Sequence, residues 1–341
     1  MDRQMLIRDV YARLILDLTG NPAVEVEVLA GEDTVGTAAV LPGYCGFPGH
    51  CGSGEEEPLC AASRNRQEEI RWRAEQAVEN VNSSLAQIVT GMNVFDQEEI
   101  DRALIKAVQP AGKKPGEILG ISLAAARTAA GAAKIPLFRY LGGIRASRMP
   151  VPVMCVERVS PEEEKESCRS EKGTAGNIVV YPARMESFRE MLEVCTDVCR
   201  AVREMSGEVK REEDGRNSRK EVERKLDLIR TAAGRAGYRF GEDINAVLDI
   251  TPDDPVLIRW NQAATLLELF RDIGAAREAG RSVMIVQTAE GTADTAAADL
   301  AAAFGAEWFR CGPPLRPEYT EVYNRLLRID EKIACRDVFL L

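Results

Sequence analysis

The spacing of apolar residues divides the first part of the chain into strands followed by helices. Apolar and polar residues alternate along Ala23–Val28, and a turn at Gly20–Pro22 separates this strand from one that begins near Leu6. Thr34–Leu41 predicts a third strand. Apolar positions then recur at helical spacing in Gln67–Val89, Ile100–Val108 and Ile118–Ala133. A small antiparallel meander followed by helices predicts an α+β cap.

Beyond Pro150 the pattern changes to short apolar runs separated by amphipathic helices. The predicted strands are Val151–Val156, Ile178–Tyr181, Ile244–Leu248, Val256–Ile258, Val283–Val286 and Trp308–Arg310. The predicted helices are Ser187–Met205, Lys220–Ala236, Ala263–Ala279 and Thr292–Phe304. This alternation predicts a parallel α/β sheet or barrel. We therefore expect an α/β protein with a cap domain at residues 1–143 and a β/α barrel domain at residues 144–341. Glu162–Lys172 is expected to be a charged insertion.

Composition excludes some classes of function. The chain carries 54 acidic and 44 basic residues, a formal net charge of -10, which argues against a nucleic-acid surface. No apolar stretch approaches the roughly 20 residues that span a bilayer, and the first residues lead into a strand instead of a signal peptide. We therefore expect a cytoplasmic protein without membrane contact.

Cysteine usage leaves two readings open. Nine cysteines in a long chain of this kind favour free thiols or a metal site over disulfides. Cys45, His50, Cys51 and Cys60 fall within sixteen residues of a Gly- and Pro-rich loop. These residue types bind zinc or iron–sulfur clusters, but their spacing matches no standard module. The loop is either a metal site or a set of loop thiols.

Several motifs, in one fixed order, resemble those of the enolase family. Leu16–Val26 is similar to the family's opening strand, Pro150–Met154 to its first barrel strand and Asn261–Leu266 to its Asn-Gln-x-Gly-Thr-Leu motif. Further similar segments are Gly120–Ala124, Pro136–Gly143, Ala236–Tyr238, Ala246–Asp249, Thr292–Ala301 and Tyr323–Glu331. The resemblance implies an α+β cap on a modified TIM barrel. It also implies a homodimer and the Mg²⁺-dependent dehydration of 2-phosphoglycerate to phosphoenolpyruvate.

The metal ligands that this resemblance implies are mostly missing. Asp249 matches the first of the family's three metal carboxylates. The chain then passes through Thr251–Pro255 directly to Val256–Arg259, so the two βα units that carry the other two carboxylates are absent. One carboxylate rarely holds Mg²⁺ without further ligands. Asp253 and Asp254 either substitute for the lost pair or form a tight turn.

The groups that act on substrate in the family are also replaced. Arg259 stands where the family has its general-base lysine, and an arginine does not release its proton in this role. Arg310 matches the second lysine. Gln287 and Thr288 match a histidine and an arginine that bind substrate, and Asn177 aligns with a carboxylate. The ligand-binding candidates are therefore Arg259, Arg310, Gln287 and Thr288.

Three hypotheses follow for function. The chain is a non-catalytic homologue used for binding or assembly, an enzyme with new chemistry at the barrel mouth, or a Mg²⁺-dependent phosphopyruvate hydratase. Arginine presents paired donors to carboxylate or phosphate, so Arg259 and Arg310 predict a small anionic ligand. Alternatively, both arginines pair with Asp249 and with the acids around Asp253, and so close the old pocket. We expect a sheet or reduced barrel of six strands, in which the strand before Arg259 lies beside the strand ending at Asp249. We also expect a homodimer.

Overall fold

The computed structural model describes residues 4–42, 63–108, 116–158, 177–208, 218–248, 254–288 and 291–338. Its first sheet is antiparallel, in the order β1 (Ile7–Leu16), β2 (Pro22–Ala30) and β3 (Thr34–Val40). Val24, Val26 and Val28 are buried in alternation with partly exposed glutamates, as expected for a strand with one covered face. The expected meander is confirmed.

Helices cover one face of this sheet. Those that contact it are α1 (Ser63–Asn80), a π-helical turn (Val81–Leu85), α2 (Ala86–Val89) and α4 (Gly116–Ala133). Two further helices pack on α4, namely α3 (Gln97–Val108) and α5 (Leu137–Gly142). Helix α4 is buried along most of its length. Gly36 of β3 allows this close approach, because a Cβ at that position would overlap the backbone carbonyl oxygen of Ala124 on α4. We call β1–β3 with α1–α4 the cap.

The second sheet has six strands with helices on its outer face. Its elements are β4 (Val151–Arg158), β5 (Asn177–Pro182), α6 (Phe188–Glu208), α7 (Ser218–Arg235), β6 (Ile244–Leu248), β7 (Val256–Arg259), α8 (Leu266–Glu278), β8 (Val283–Val286), α9 (Ala296–Phe304), β9 (Trp308–Cys311) and α10 (Pro317–Val338). All six predicted strands are present. None of the described helices is long and apolar enough to cross a bilayer.

The strand order corrects two expectations. The sheet runs β6-β5-β4-β9-β8-β7, and β5 is antiparallel to both of its neighbours. A strand buried on both faces reads as a continuous apolar run whichever way it points, so the pattern could not give this direction. The expected pairing of β6 with β7 is wrong, because they are the two edges of the sheet. The two strands point the same way, so a direct pairing between them would be parallel. Consecutive strands that pair in parallel are joined by a crossover of a dozen or more residues, and residues 249–255 are too few for one.

The sheet curls around its own side chains. Val153, Val179, Tyr181, Met284 and Val286 form one buried cluster, which we call the inner face. The rings of Tyr181 on β5 and Trp308 on β9 meet edge to face across β4, with centroids 5.8 Å apart. The alternate residues of the same strands pack on the helices. A sheet whose non-adjacent strands touch on one face has barrel-like curvature.

Polar contacts hold the cap against the six-stranded sheet. Arg127 on α4 forms a two-pronged ion pair with Asp294, just before α9, at 2.6 and 2.7 Å. Asp294 also accepts the backbone N–H of Ala39 on β3 at 2.9 Å. The hydroxyl of Thr292 donates to the carbonyl of Ala39 at 2.9 Å. These contacts fix the cap over the end of the sheet at which β8 finishes.

Candidate functional site

Arg259 and Arg310 stand at one level of the sheet. Arg259 on β7 is in register with Val286 on β8, which is in register with Arg310 on β9. Partners in parallel strands point to the same face, so both arginines lie on the inner face with Val286. Their backbones are two strand spacings apart, about 10 Å. The carboxyl ends of β7, β8 and β9 therefore bring together the two predicted arginines. We call this end of the inner face the mouth.

Gln287 follows β8 at the mouth and is almost fully buried, with 7% of its surface exposed. Its side-chain oxygen accepts the indole N–H of Trp260 at 3.2 Å. Its backbone N–H donates to the carbonyl of Arg310 at 2.9 Å. Gln287, which the resemblance matches to the family's histidine, thus hydrogen-bonds to Trp260, the residue after Arg259.

Thr288 is tied to the same short segment. Asn261, the first residue of the Asn-Gln motif, donates its side-chain N–H to the Thr288 hydroxyl oxygen at 3.2 Å. Trp260 and Asn261 belong to a 3₁₀ turn, Trp260–Gln262, that follows β7 directly. Two successive residues of this turn, Trp260 and Asn261, therefore hydrogen-bond to two successive residues after β8, Gln287 and Thr288.

Arg310 is 4% exposed, and its Nε donates to the sulfur of Cys155 on β4 at 3.2 Å. Val153 is in register with Arg310, and Cys155 lies two residues further along the same face. Cys155 packs against the inner-face cluster. The sequence analysis did not single out Cys155. The alternation of β4 would have placed it on the inner face, but it carries no sign of its partner.

The remaining predicted residues divide into two groups. Asn177 is the first residue of β5 and pairs through its main chain with Arg158. Because β5 is antiparallel to the other strands, its first residue lies at the mouth. Asp249, Asp253, Cys45, His50, Cys51, Cys60 and the insertion Glu162–Lys172 lie outside the described residues. Asp254 is described. It has a positive φ of 42° and lies near Arg281, far from the mouth.

The described mouth offers little for metal or proton chemistry. Its ionisable side chains identified above are two guanidiniums and one thiol, and its neutral groups are amides, a hydroxyl and an indole. Mg²⁺ prefers carboxylate and water oxygens, so this set does not fit it. Nowhere in the described ranges do three or more His, Cys, Asp or Glu side chains come together as a metal site would require.

Comparison with known protein families agrees with both halves of the fold. The model for the enolase N-terminal domain matches residues 7–141, which contain the cap. The model for the enolase C-terminal TIM barrel domain matches residues 252–340, from just before β7 to the end of α10. The strands β4, β5 and β6 lie outside that second match. The two matches together cover most of the chain, in the order found in the family. The chain therefore belongs to the enolase family.

Proposed function

We propose that this enolase-family protein does not dehydrate 2-phosphoglycerate and instead binds a small anion at the mouth. The observation that carries the proposal is the position of Arg259, at the end of β7 where the resemblance places the general-base lysine. A guanidinium stays protonated at any physiological pH, so it can hold a carboxylate or phosphate but cannot remove a proton from carbon.

The other side chains at the mouth support the same proposal. Gln287 and Thr288 replace charged groups and are hydrogen-bonded to Trp260 and Asn261. Arg310 replaces a lysine and donates to Cys155. Gln287, Thr288 and Arg310 can all donate hydrogen bonds to an anion, but none has the acid–base properties of a lysine or glutamate.

An assay with 2-phosphoglycerate and Mg²⁺ tests the catalytic half of the proposal. The expected result is no formation of phosphoenolpyruvate, because the loss of a general base costs about 10²–10⁴ in rate and loss of the metals costs several kcal/mol more. Turnover at about 1–10³ per second would instead identify the chain as an active Mg²⁺-dependent hydratase. An Arg259→Lys variant is the matched control, since it restores the family's residue at that one position.

We also propose that the protein is a homodimer assembled through the cap. Leu14 and Leu16 on β1 are 45% and 68% exposed, and β1 is an edge strand of its sheet. Exposed apolar side chains on a sheet edge favour association with a second chain. The adjoining turn is ordered by Asp17, whose carboxylate accepts the backbone N–H groups of Thr19 and Asn21, both at 2.8 Å.

A further inference from the structure

One side-chain nitrogen at the mouth has a donor to spare. Gln287 is more than nine-tenths buried, with 7% of its surface exposed. Its side-chain oxygen accepts the indole N–H of Trp260, but no acceptor among the described residues contacts its side-chain nitrogen. That nitrogen is not one of the unpaired atoms that are sealed from solvent. Because polar groups buried to this extent normally have partners, the open donor marks a place where a ligand can bind.

The indole of Trp260 determines which end of the Gln287 amide is left open. An indole N–H can only donate a hydrogen bond, so the atom that meets it is the amide oxygen and not the nitrogen. Trp260 is itself held in place, since it is 5% exposed and packs in the helix-side core. It directly follows Arg259 in the turn after β7. With the oxygen engaged, the nitrogen end faces away from the indole.

The open nitrogen lies where the cap approaches the mouth. A Cβ on Gly291 would be 3.8 Å from the Gln287 side-chain nitrogen, so the absence of a side chain at Gly291 leaves the amide uncovered on this side. The carbonyl of Gly291 accepts the backbone N–H of Leu18, in the first turn of the cap, at 3.0 Å. The backbone from which the amide extends is also fixed, because the Gln287 N–H donates to the carbonyl of Arg310 at 2.9 Å.

We propose that Trp260 is a positioning residue, which holds the Gln287 amide so that its N–H groups donate to the anion at the mouth. The amide then adds a further donor to those of Arg259 and Arg310. The inference rests on the function proposed above, and it narrows the ligand to an oxyanion with several acceptor oxygens, such as phosphate. A flipped amide would instead present its oxygen, which cannot donate to an anion. Trp260 acts on the ligand only through Gln287.

The affinity for inorganic phosphate, measured by isothermal titration calorimetry, tests the proposal. Gln287→Met removes the amide but keeps the length of the side chain, and should weaken binding about tenfold, the effect of one hydrogen bond to a charged group. Trp260→Phe keeps an aromatic ring but frees the amide to turn, and should weaken binding about fivefold, the effect of one neutral hydrogen bond.

Trp308→Phe is the matched control. The indole N–H of Trp308 is buried without an acceptor in the described part of the chain. Trp308 is the first residue of β9, so it lies at the opposite end of the strand from the mouth. Its replacement also removes one indole N–H, but phosphate affinity should stay that of the unsubstituted protein. Equal losses of affinity in Trp260→Phe and Trp308→Phe overturn the proposal.

A double variant separates positioning from a general effect on the fold. If Trp260 acts through Gln287, adding Trp260→Phe to Gln287→Met should cost no further affinity. An additive loss contradicts the positioning role, and unchanged affinity in Gln287→Met contradicts the role of the amide as a donor.

The outcomes distinguish this inference from the function on which it rests. If the unsubstituted protein does not bind phosphate, the anion-binding function fails and the inference fails with it. If Trp260→Phe binds phosphate at full strength, only the inference fails. Should Trp260→Phe not fold, Gln287→Glu decides, because its carboxylate still accepts the indole N–H but offers oxygens in place of donors. Phosphate binding should then be lost, and retained binding overturns the proposal.

Discussion

The carboxylate of Asp101 on the cap helix α3 accepts the backbone N–H of Leu267, the second residue of α8, at 2.8 Å. Beside it, the hydroxyl of Ser122 on α4 accepts the backbone N–H of Leu266 at 3.1 Å. Two side chains of the cap thus satisfy the first free donors of a helix that belongs to the six-stranded sheet. Backbone donors at a helix N-terminus attract negative charge, so the cap and this helix stabilise each other.

The unfolding free energy should depend on pH through Asp101. Burial raises the pKa of its carboxyl from 3.8 to about 6, and hydrogen bonds from Ser122, Leu267 and Gln97 offset only part of the effect. Between these two values the folded chain holds a proton that the unfolded chain has released, so stability falls as pH rises. The shift corresponds to about 3 kcal/mol. Urea unfolding at several pH values between about 4 and 7 should show this decline.

Asp101→Asn should reduce that decline, because the amide keeps an oxygen for Leu267 and does not titrate. A smaller decline should remain, because burial also raises the pKa of Glu117. Glu98→Gln is the matched control on the same helix, since Glu98 pairs with Arg102 at the surface and its side chain is 58% exposed. The control should keep the dependence of the unsubstituted protein. A dependence that is undiminished in Asp101→Asn would assign the decline to another group.

Breaking the ion pair between Arg127 and Asp294 should be costly. Burial opposes the charge of Asp294, but the charge and donors of Arg127 outweigh it and hold the pKa of that carboxyl below its usual value. Arg127→Met would leave a carboxylate that is 4% exposed without its cation. We expect a loss of about 3–5 kcal/mol in unfolding free energy. The corresponding change at the exposed pair, Arg102→Met, should cost less than about 1 kcal/mol. Similar losses in the two variants would show that the buried pair is not special.

Gly142→Ala should destabilise the chain through a close helix contact. Gly142 ends α5, and a Cβ at this position would overlap the carbonyl of Ala303 on α9. Overpacking of this kind costs about 1–3 kcal/mol. Gly234→Ala is the control, because Gly234 lies in α7 with nothing near its missing Cβ. That change should be neutral or stabilise by about 0.4–1 kcal/mol. Thermal unfolding of the two variants compares them directly.

Anion binding at the mouth should depend on Arg259 and Arg310 together. Phosphate or sulfate is expected to raise the melting temperature of the unsubstituted protein and to have no effect on Arg259→Ala/Arg310→Ala. The control Arg189→Ala/Arg328→Ala removes two arginines whose side chains are 74% and 59% exposed, and should leave the shift unchanged. If instead the arginines close the pocket, the first double variant should unfold more easily by a few kcal/mol. The absence of any anion-dependent shift in the unsubstituted protein would remove the binding proposal.

Self-association should depend on the exposed leucines of β1. Light scattering is expected to give a mass near twice the chain mass of 37.4 kDa. Leu16→Glu should shift the protein toward the monomer, because a charge in an apolar interface is left without a partner. Ile144→Glu is the control, since Ile144 is 80% exposed but lies outside β1. A monomer of the unsubstituted protein at micromolar concentration contradicts the proposal.

Local patterns predicted the elements of this fold well, because each strand and helix carries its own period. Ile244–Leu248 and Val283–Val286 begin and end as expected. The direction of β5 and the separation of β6 from β7 were beyond reach, since both depend on how strands pair over long distances. Hydrophobic spacing shows which residues are buried but not which strand lies beside which.

The mouth was predicted in part, through the family motifs. The expectation that residues after β7, β8 and β9 come together rests on the resemblance, and register places Arg259 and Arg310 at one level. The partners of these side chains could not be predicted. The hydrogen bond from Arg310 to Cys155 joins residues that are 155 positions apart in the sequence. Local hydrophobic spacing cannot predict a contact over that distance. The same holds for Asp101, whose partner on α8 lies 166 residues further along the chain.

The edge of β3 has a consequence for how the protein is made. Both the N–H and the carbonyl of Ala39 are satisfied by residues more than 250 positions later, Asp294 and Thr292. During synthesis at about 5–20 residues per second, the ribosome therefore needs roughly ten seconds or more before these partners emerge. Until then the outer edge of the nascent cap sheet is open to pairing with other chains. Chaperone binding to nascent chains truncated just before and just after α9 would be expected to differ accordingly.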